Sequence, residues 1–195
     1  MTAAHHDNHG HGAGSDEHKM EDPRTAIDAQ SAELLSAPID FLYAEHLRQR
    51  QAAKIIALIA DGVINRRTIC ATIEFIRNDL PMHILDEETS LFPILRRRCP
   101  PDDKIDELLS LLAADHRDDE RISEEVVAIL RKLASGESAN DADQSVLRRF
   151  ADHVRHHLAL ENGVLIPIAR ARLNDEMLSV ITQSMIARRR SVPRP

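Results

Sequence analysis

The chain has 195 residues, 43% of them hydrophobic, 29% charged and only 3% aromatic, with no Trp. That leaves room for one domain with a real core, in a composition of helix formers that argues against a β-rich fold. The net charge of −7 argues against a general nucleic-acid binder, whose phosphate affinity needs clustered Lys and Arg.

In chain order, residues 1–35 read as a disordered His-rich leader, with His5, His6, His9, His11 and His18 crowded together and no apolar periodicity. Such a tail can hold metal loosely or pass it on, or simply be an unstructured extension. It has no basic region followed by an apolar core, and no later run approaches a membrane span, so no membrane is expected and the cytoplasm is the expected location. Residues 36–190 form the folded unit and 191–195 a tail. The first helix is predicted from Pro38 to about Asp61, with Gly62 as its stop. Its apolar face reads Ile39, Leu42, Tyr43, Leu47, Ala53, Ile56 and Ala60, with His46 inside the stripe.

Asn65 is placed to cap the second helix, whose inward series is Ile69, Ile73, Ile76, Leu80, His83, Glu87 and Leu91. Pro81 predicts a kink or short break just before His83, and the helix is expected to finish near Phe92, before Pro93. Asp102 or Asp103 starts the third helix, carrying Ile105, Leu109, Leu112, His116, Glu120, Val127, Leu130 and Leu133 up to Gly136. The fourth starts near Asn140 or Asp141 and shows Leu147, Phe150, Val154, His157, Glu161, Val164 and Ile168, with Pro167 disturbing its last turns. A shorter fifth helix follows Asn174, with Met177, Leu178, Ile181, Met185 and Ile186 on one side; Arg188 to Arg190 read as its solvated end. Cys70 and Cys99 belong to no CxxC pair, which suggests two reduced thiols and neither a disulfide framework nor a zinc knuckle. The expected fold is all-α: an up-down-up-down four-helix bundle with a short extra C-terminal helix.

The chemistry lies in a repeat. MHILDEETSLFP sets His83 one helical turn before Glu87, and RHHLALENGVLIP does the same with His157 and Glu161; His116 and Glu120 are also four apart. Residues at that spacing share a face, so each pair can reach one metal or bridge to a second. A buried carboxylate without a partner costs about 3–5 kcal/mol, so inward-facing Glu87, Glu120 and Glu161 call for cations. Nitrogen and carboxylate donors suit iron, manganese or zinc, and the lack of nearby thiolates argues against an iron-sulfur or structural Cys-zinc site. His153 lies one turn before His157 and Glu88 adjoins Glu87, each a neighbour of the ligands rather than one of them. Tyr43 reads as core packing or as lining an open metal position.

With its ordered set of His46, His83 with Glu87 before LFP, His116 in DHRDDE, and His157 with Glu161 before IP, the chain resembles the hemerythrin-like (HHE cation-binding) domain proteins over about residues 37 to 170. The resemblance implies a four-helix bundle with two metal ions, iron first, and a bridging oxo or hydroxo group. Carried over by position, Glu87 and Glu161 are the bridges, His46 and His83 hold one metal, and His116, Glu120 and His157 hold the other. The first metal then has one open place for a small diatomic ligand or peroxide, and the second is saturated. The chain departs from the oxygen carriers at Glu120, where they have histidine, and in the spacing of its second bridge, which disfavours reversible oxygen carriage. Two functional classes follow: a protein binding or sensing oxygen, nitric oxide or iron, and a di-iron or di-manganese redox enzyme consuming peroxide or oxygen. A zinc-filled bundle without redox chemistry is a third.

Overall fold

The computed structural model describes residues 27–28, 32–63 and 65–191. The His-rich residues of the leader lie outside them. Five long helices follow a short 3-10 turn, Ala32–Ser36: α1 Pro38–Ala60, α2 spanning 66–98, α3 Ile105–Ala134, α4 spanning 141–172 and α5 Asp175–Ser191. No strand is found among the described residues. The 3-10 turn falls in the stretch expected to be disordered, where Leu34 and Leu35 pack on apolar neighbours and Thr182 of α5 donates to the Leu35 carbonyl.

Helix starts follow local chemistry. Asn65 accepts from the backbone N–H groups of Arg67 and Thr68, and Asn140 and Asp143 form a reciprocal capping box. Gly62 and Gly136 supply the positive φ, 87° and 94°, that ends α1 and α3.

Pro93 acts differently from expectation, while Pro81 and Pro167 disturb their helices by way of a widened turn. Pro93 does not end α2, which continues to Arg98, and Pro167 does not end α4, which continues to Arg172. Each of Pro81, Pro93 and Pro167 sits two residues beyond a five-residue π-helical turn: Phe75–Asp79, Glu87–Leu91 and Glu161–Leu165. A proline ring clashes with the carbonyl four residues back, and here that carbonyl belongs each time to the widened turn. Widening lets the helix absorb the proline instead of breaking. It also adds one residue per turn, so beyond Glu161 the buried face is Leu165, Ile166 and Ala169, while Val164 is exposed.

Helix α1 packs on α4 and α2, α2 on α3, and α3 on α4. The buried apolar residues form two clusters. One joins Ala52 to Ala60 of α1 with Ile69 to Ile84 of α2, Ile122 to Leu133 of α3 and Val146 to Leu158 of α4. The other joins Ile39 to Leu42, Leu91 to Leu95, Ile105 to Leu112 and Leu165 to Ala169, and adds Ile181 and Met185 of α5. Between them lies a buried layer of histidines and carboxylates. Tyr43 and Leu47, expected on the inner face of α1, are 40% and 45% exposed. The inward series runs Leu42, His46, Gln49, Ala53 and Ile56 at alternating steps of four and three, which leaves Tyr43 on the surface beneath the guanidinium of Arg170.

Candidate metal centre

Each helix of the bundle delivers its polar side chains to the layer between the clusters. His46 comes from α1, His83 and Glu87 from α2, His116 from α3, His157 and Glu161 from α4, and all six are buried. The histidines pair by ring contact, His46 with His83 at 5.0 Å and His116 with His157 at 4.9 Å between centroids. Both glutamates lie between the pairs. The Glu161 Oε2 atom is 3.3 Å from His46 Nε2, and its Oε1 is 3.0 Å from His157 Nε2 and 3.9 Å from that of His116. The Glu87 Oε1 atom is 3.6 Å from His46 Nε2, and its Oε2 is 3.6 Å from His83 Nε2 and 3.4 Å from His116 Nε2. Two overlapping donor sets result: His46, His83, Glu87, Glu161 and Glu87, His116, His157, Glu161.

These atoms fit a pair of cations. Both oxygens of Glu87 and of Glu161, Nε2 of His46 and His116 and both nitrogens of His83 are buried without a hydrogen-bond partner. Buried polar groups are almost always paired, and leaving one unpaired costs about 1–3 kcal/mol. Bonds of roughly 2.0–2.2 Å to nitrogen and oxygen put neighbouring ligands about 3 Å apart, close to the shorter spacings seen here. The outer nitrogens of three histidines are tied down: His46 Nδ1 to Asn162 Oδ1 at 2.8 Å, His116 Nδ1 to Glu88 Oε1 at 2.8 Å and His157 Nδ1 to Asp115 Oδ2 at 3.4 Å. Held as donors at Nδ1, these rings turn their Nε2 lone pairs inward, the usual arrangement of metal-bound imidazoles. Phe92 stacks on His116 with ring centroids 6.0 Å apart.

Crowded charge distorts the protonation of the cluster. Burial and the adjacent Glu87 push the Glu161 carboxyl well above the usual carboxylate range, while His83, His116 and His46 hold Glu87 well below it against the opposing effect of burial. Burial drives His83 down to about 3. Burial acts to lower His116 too, but Glu87, Glu161 and Glu88 outweigh it and raise His116 to about 9. The cluster thus holds protons where cations would compete for the same lone pairs.

Glu120 does not join this site. It is exposed and borders a groove between α2 and α3 with Arg77, Pro81 and Glu124. The inward series of α3 runs in steps of three, four and three from Leu109 through Leu112 and His116 to Asp119, and resumes seven residues on with Val126, Leu130 and Leu133, so the residue that follows His116 inward is three positions on. That residue, Asp119, was missed by the four-residue spacing rule. Val126 was the available signal, because it lies seven residues, or two 3.5-residue turns, after Asp119. Asp119 is 2% exposed, its carboxyl is pushed up by burial with His153 opposing, and its Oδ1 is 3.3 Å from His153 Nε2. Without Glu120 the expected contrast between an open and a saturated metal has no basis. Each donor set has two histidines and the same two glutamates. His156 faces outward, with its Nδ1 on the Asp152 carbonyl.

No curated protein matches the chain. A family model, the Hemerythrin HHE cation binding domain, matches residues 37–169, from the start of α1 into the last turn of α4. This span takes in all six clustered side chains and stops short of α5. The chain belongs to the hemerythrin HHE cation-binding family, whose metal ions are non-heme.

Proposed function

We propose that the chain is a non-heme di-iron protein that takes up a small oxygen species, a diatomic ligand or peroxide, between His46 with His83 and His116 with His157. The observation that carries this reading is the position of Glu87 and Glu161, each with one carboxylate oxygen toward His46 and the other toward His116. Carboxylate and imidazole donors suit iron, with manganese and zinc as competitors. An iron pair there supplies two adjacent redox centres. The rest is done by the protein: four histidines fix the donor directions, two glutamates balance charge, and the apolar clusters on either side keep bulk water away. The two apolar clusters support an up-down-up-down order of α1 to α4, since each joins N-terminal halves of α1 and α3 to C-terminal halves of α2 and α4, or the reverse. We place this activity in the cytoplasm.

The equal donor sets favour redox turnover of peroxide or oxygen over the one-sided binding expected of a carrier or sensor. Each set offers four protein donors, so ions bound there would have room for a small ligand. Steady peroxide consumption by the iron-loaded protein is the expected result. A stable, reversible oxygen or nitric oxide adduct without turnover would assign the chain to binding or sensing instead.

A further inference from the structure

Helix α5 lies beyond the residues the family model covers, and its end carries the basic run. Of the run, Arg190 is exposed but Arg188 and Arg189 are not a solvated helix end. Arg188 and Arg189 are 16% and 18% exposed and converge on Asp86, which is fully buried. Arg188 Nη1 donates to Asp86 Oδ1, and Arg189 Nη2 donates to Oδ2 at 2.6 Å. The other end of the Arg188 guanidinium reaches Thr89 Oγ1 at 2.5 Å and Ser90 Oγ at 3.0 Å, and Ser90 meets Ser184 of α5 at 2.9 Å. Arg189 is fixed in turn, stacked 4.7 Å from the Phe41 ring centroid with Nη1 on the Met185 carbonyl.

The residues gripped, Asp86, Thr89 and Ser90, belong to or adjoin the widened turn Glu87–Leu91, which opens with Glu87. Neither oxygen of Glu87 has a hydrogen-bond donor of its own, so its aim depends on where the backbone of that turn is held. We infer that α5 is a positioning element for the metal centre, with Arg188 and Arg189 setting the direction of Glu87 through Asp86; this rests on the di-metal reading of the site. A π-helical turn is a rare, single-turn departure from the α-helix that is frequent at functional sites, and the double guanidinium grip holds this one from outside.

The test uses the full chain and anaerobic Co(II) as probe, read by equilibrium titration and by the Co(II) visible spectrum. R188Q/R189Q is compared with M185A, which removes packing from α5 but leaves the clamp. At a temperature where far-UV circular dichroism shows all proteins folded, R188Q/R189Q is expected to bind Co(II) about tenfold more weakly with a shifted spectrum. M185A is expected to lower Tm and keep the wild-type affinity and spectrum. The conservative R188K/R189K should recover part of the loss. Should R188Q/R189Q not fold, D86N decides by the same readouts. An affinity within twofold of wild type with a superimposable spectrum overturns the inference, as does an equal change in M185A. Wild-type protein that binds no Co(II) would remove the metal centre itself, and the clamp with it.

Discussion

Glu87 and Glu161 open equivalent widened turns, each followed two residues later by a proline, yet the two turns are held in different ways. The Glu87 turn is gripped from outside by α5. The Glu161 turn is held from within: Asn162, the next residue, reaches across to His46 on α1, and Gly163 and Val164 face solvent. A third turn, Phe75–Asp79, carries no ligand and is fastened by Arg48, which pairs with Asp79 at 3.0 Å and with buried Glu45. Proline thus creates the same local geometry three times, and what each turn does depends on what fastens it. In the proposed di-metal reading, Glu161 would be coupled to the site through Asn162 and His46, whereas Glu87 would be set by a separate helix.

The largest expected effect comes from removing a bridge. Because Glu87 and Glu161 belong to both donor sets, Glu87→Gln or Glu161→Gln should each abolish binding of both ions, an affinity loss beyond the roughly 100-fold that outer partners reach. His83→Ala touches one pair only and should leave one ion per chain. Isothermal titration with metal stoichiometry separates the two outcomes; one ion retained in Glu161→Gln would break the equivalence of the bridges.

Next comes pH. His116, raised to about 9, carries a proton in the metal-free protein below that pH, and Glu161 is held protonated in the same direction. An incoming ion must displace them, so affinity should climb about tenfold per pH unit for His116 alone and level off above pH 9. The metal-free fold runs the opposite way. Its raised His116 contributes stability that is complete below 6.5 and is lost as pH rises through 9, so Tm without metal should fall across that window. His83, lowered to about 3, has the reverse sign: its contribution is present above 6.5 and lost as pH falls toward 3.

Asn162→Ala is expected to weaken binding about 10-fold, within the range set by loss of a group that orients a ligand. Glu88→Ala should do the same through His116, and comparison of the two shows whether the His46 and His116 halves are equally dependent on their outer partners. The smallest effect is expected at Glu120→Gln, with metal affinity unchanged and stability within about 0.5 kcal/mol of wild type, as for an exposed side chain.

Much of this arrangement is written in short-range pattern. The caps at Asn65 and Asn140, the stops at Gly62 and Gly136, and the HxxxE spacing on α2 and α4 all depend on residues within one or two turns, so they are legible in sequence. Glu120 was misread because a four-residue step and a three-residue step are both helical, and only the full series from Leu109 to Leu133 reveals which one points inward at that place. Pro93 was misread as a helix end because the cost of a proline depends on whether the preceding turn widens. The clamp was hidden for another reason: Asp86 and Arg188 are 102 positions apart, and no local spacing pairs them. A basic run at a helix end has the same sequence signature whether solvated or docked.

The most direct test of the account is metal content. Protein reconstituted anaerobically with ferrous iron, freed of excess ion and measured by elemental analysis, is predicted to hold two ions per chain, falling to one in His83→Ala and to none in Glu161→Gln. Wild-type protein with fewer than one ion per chain, or Glu161→Gln protein that keeps two, would contradict it.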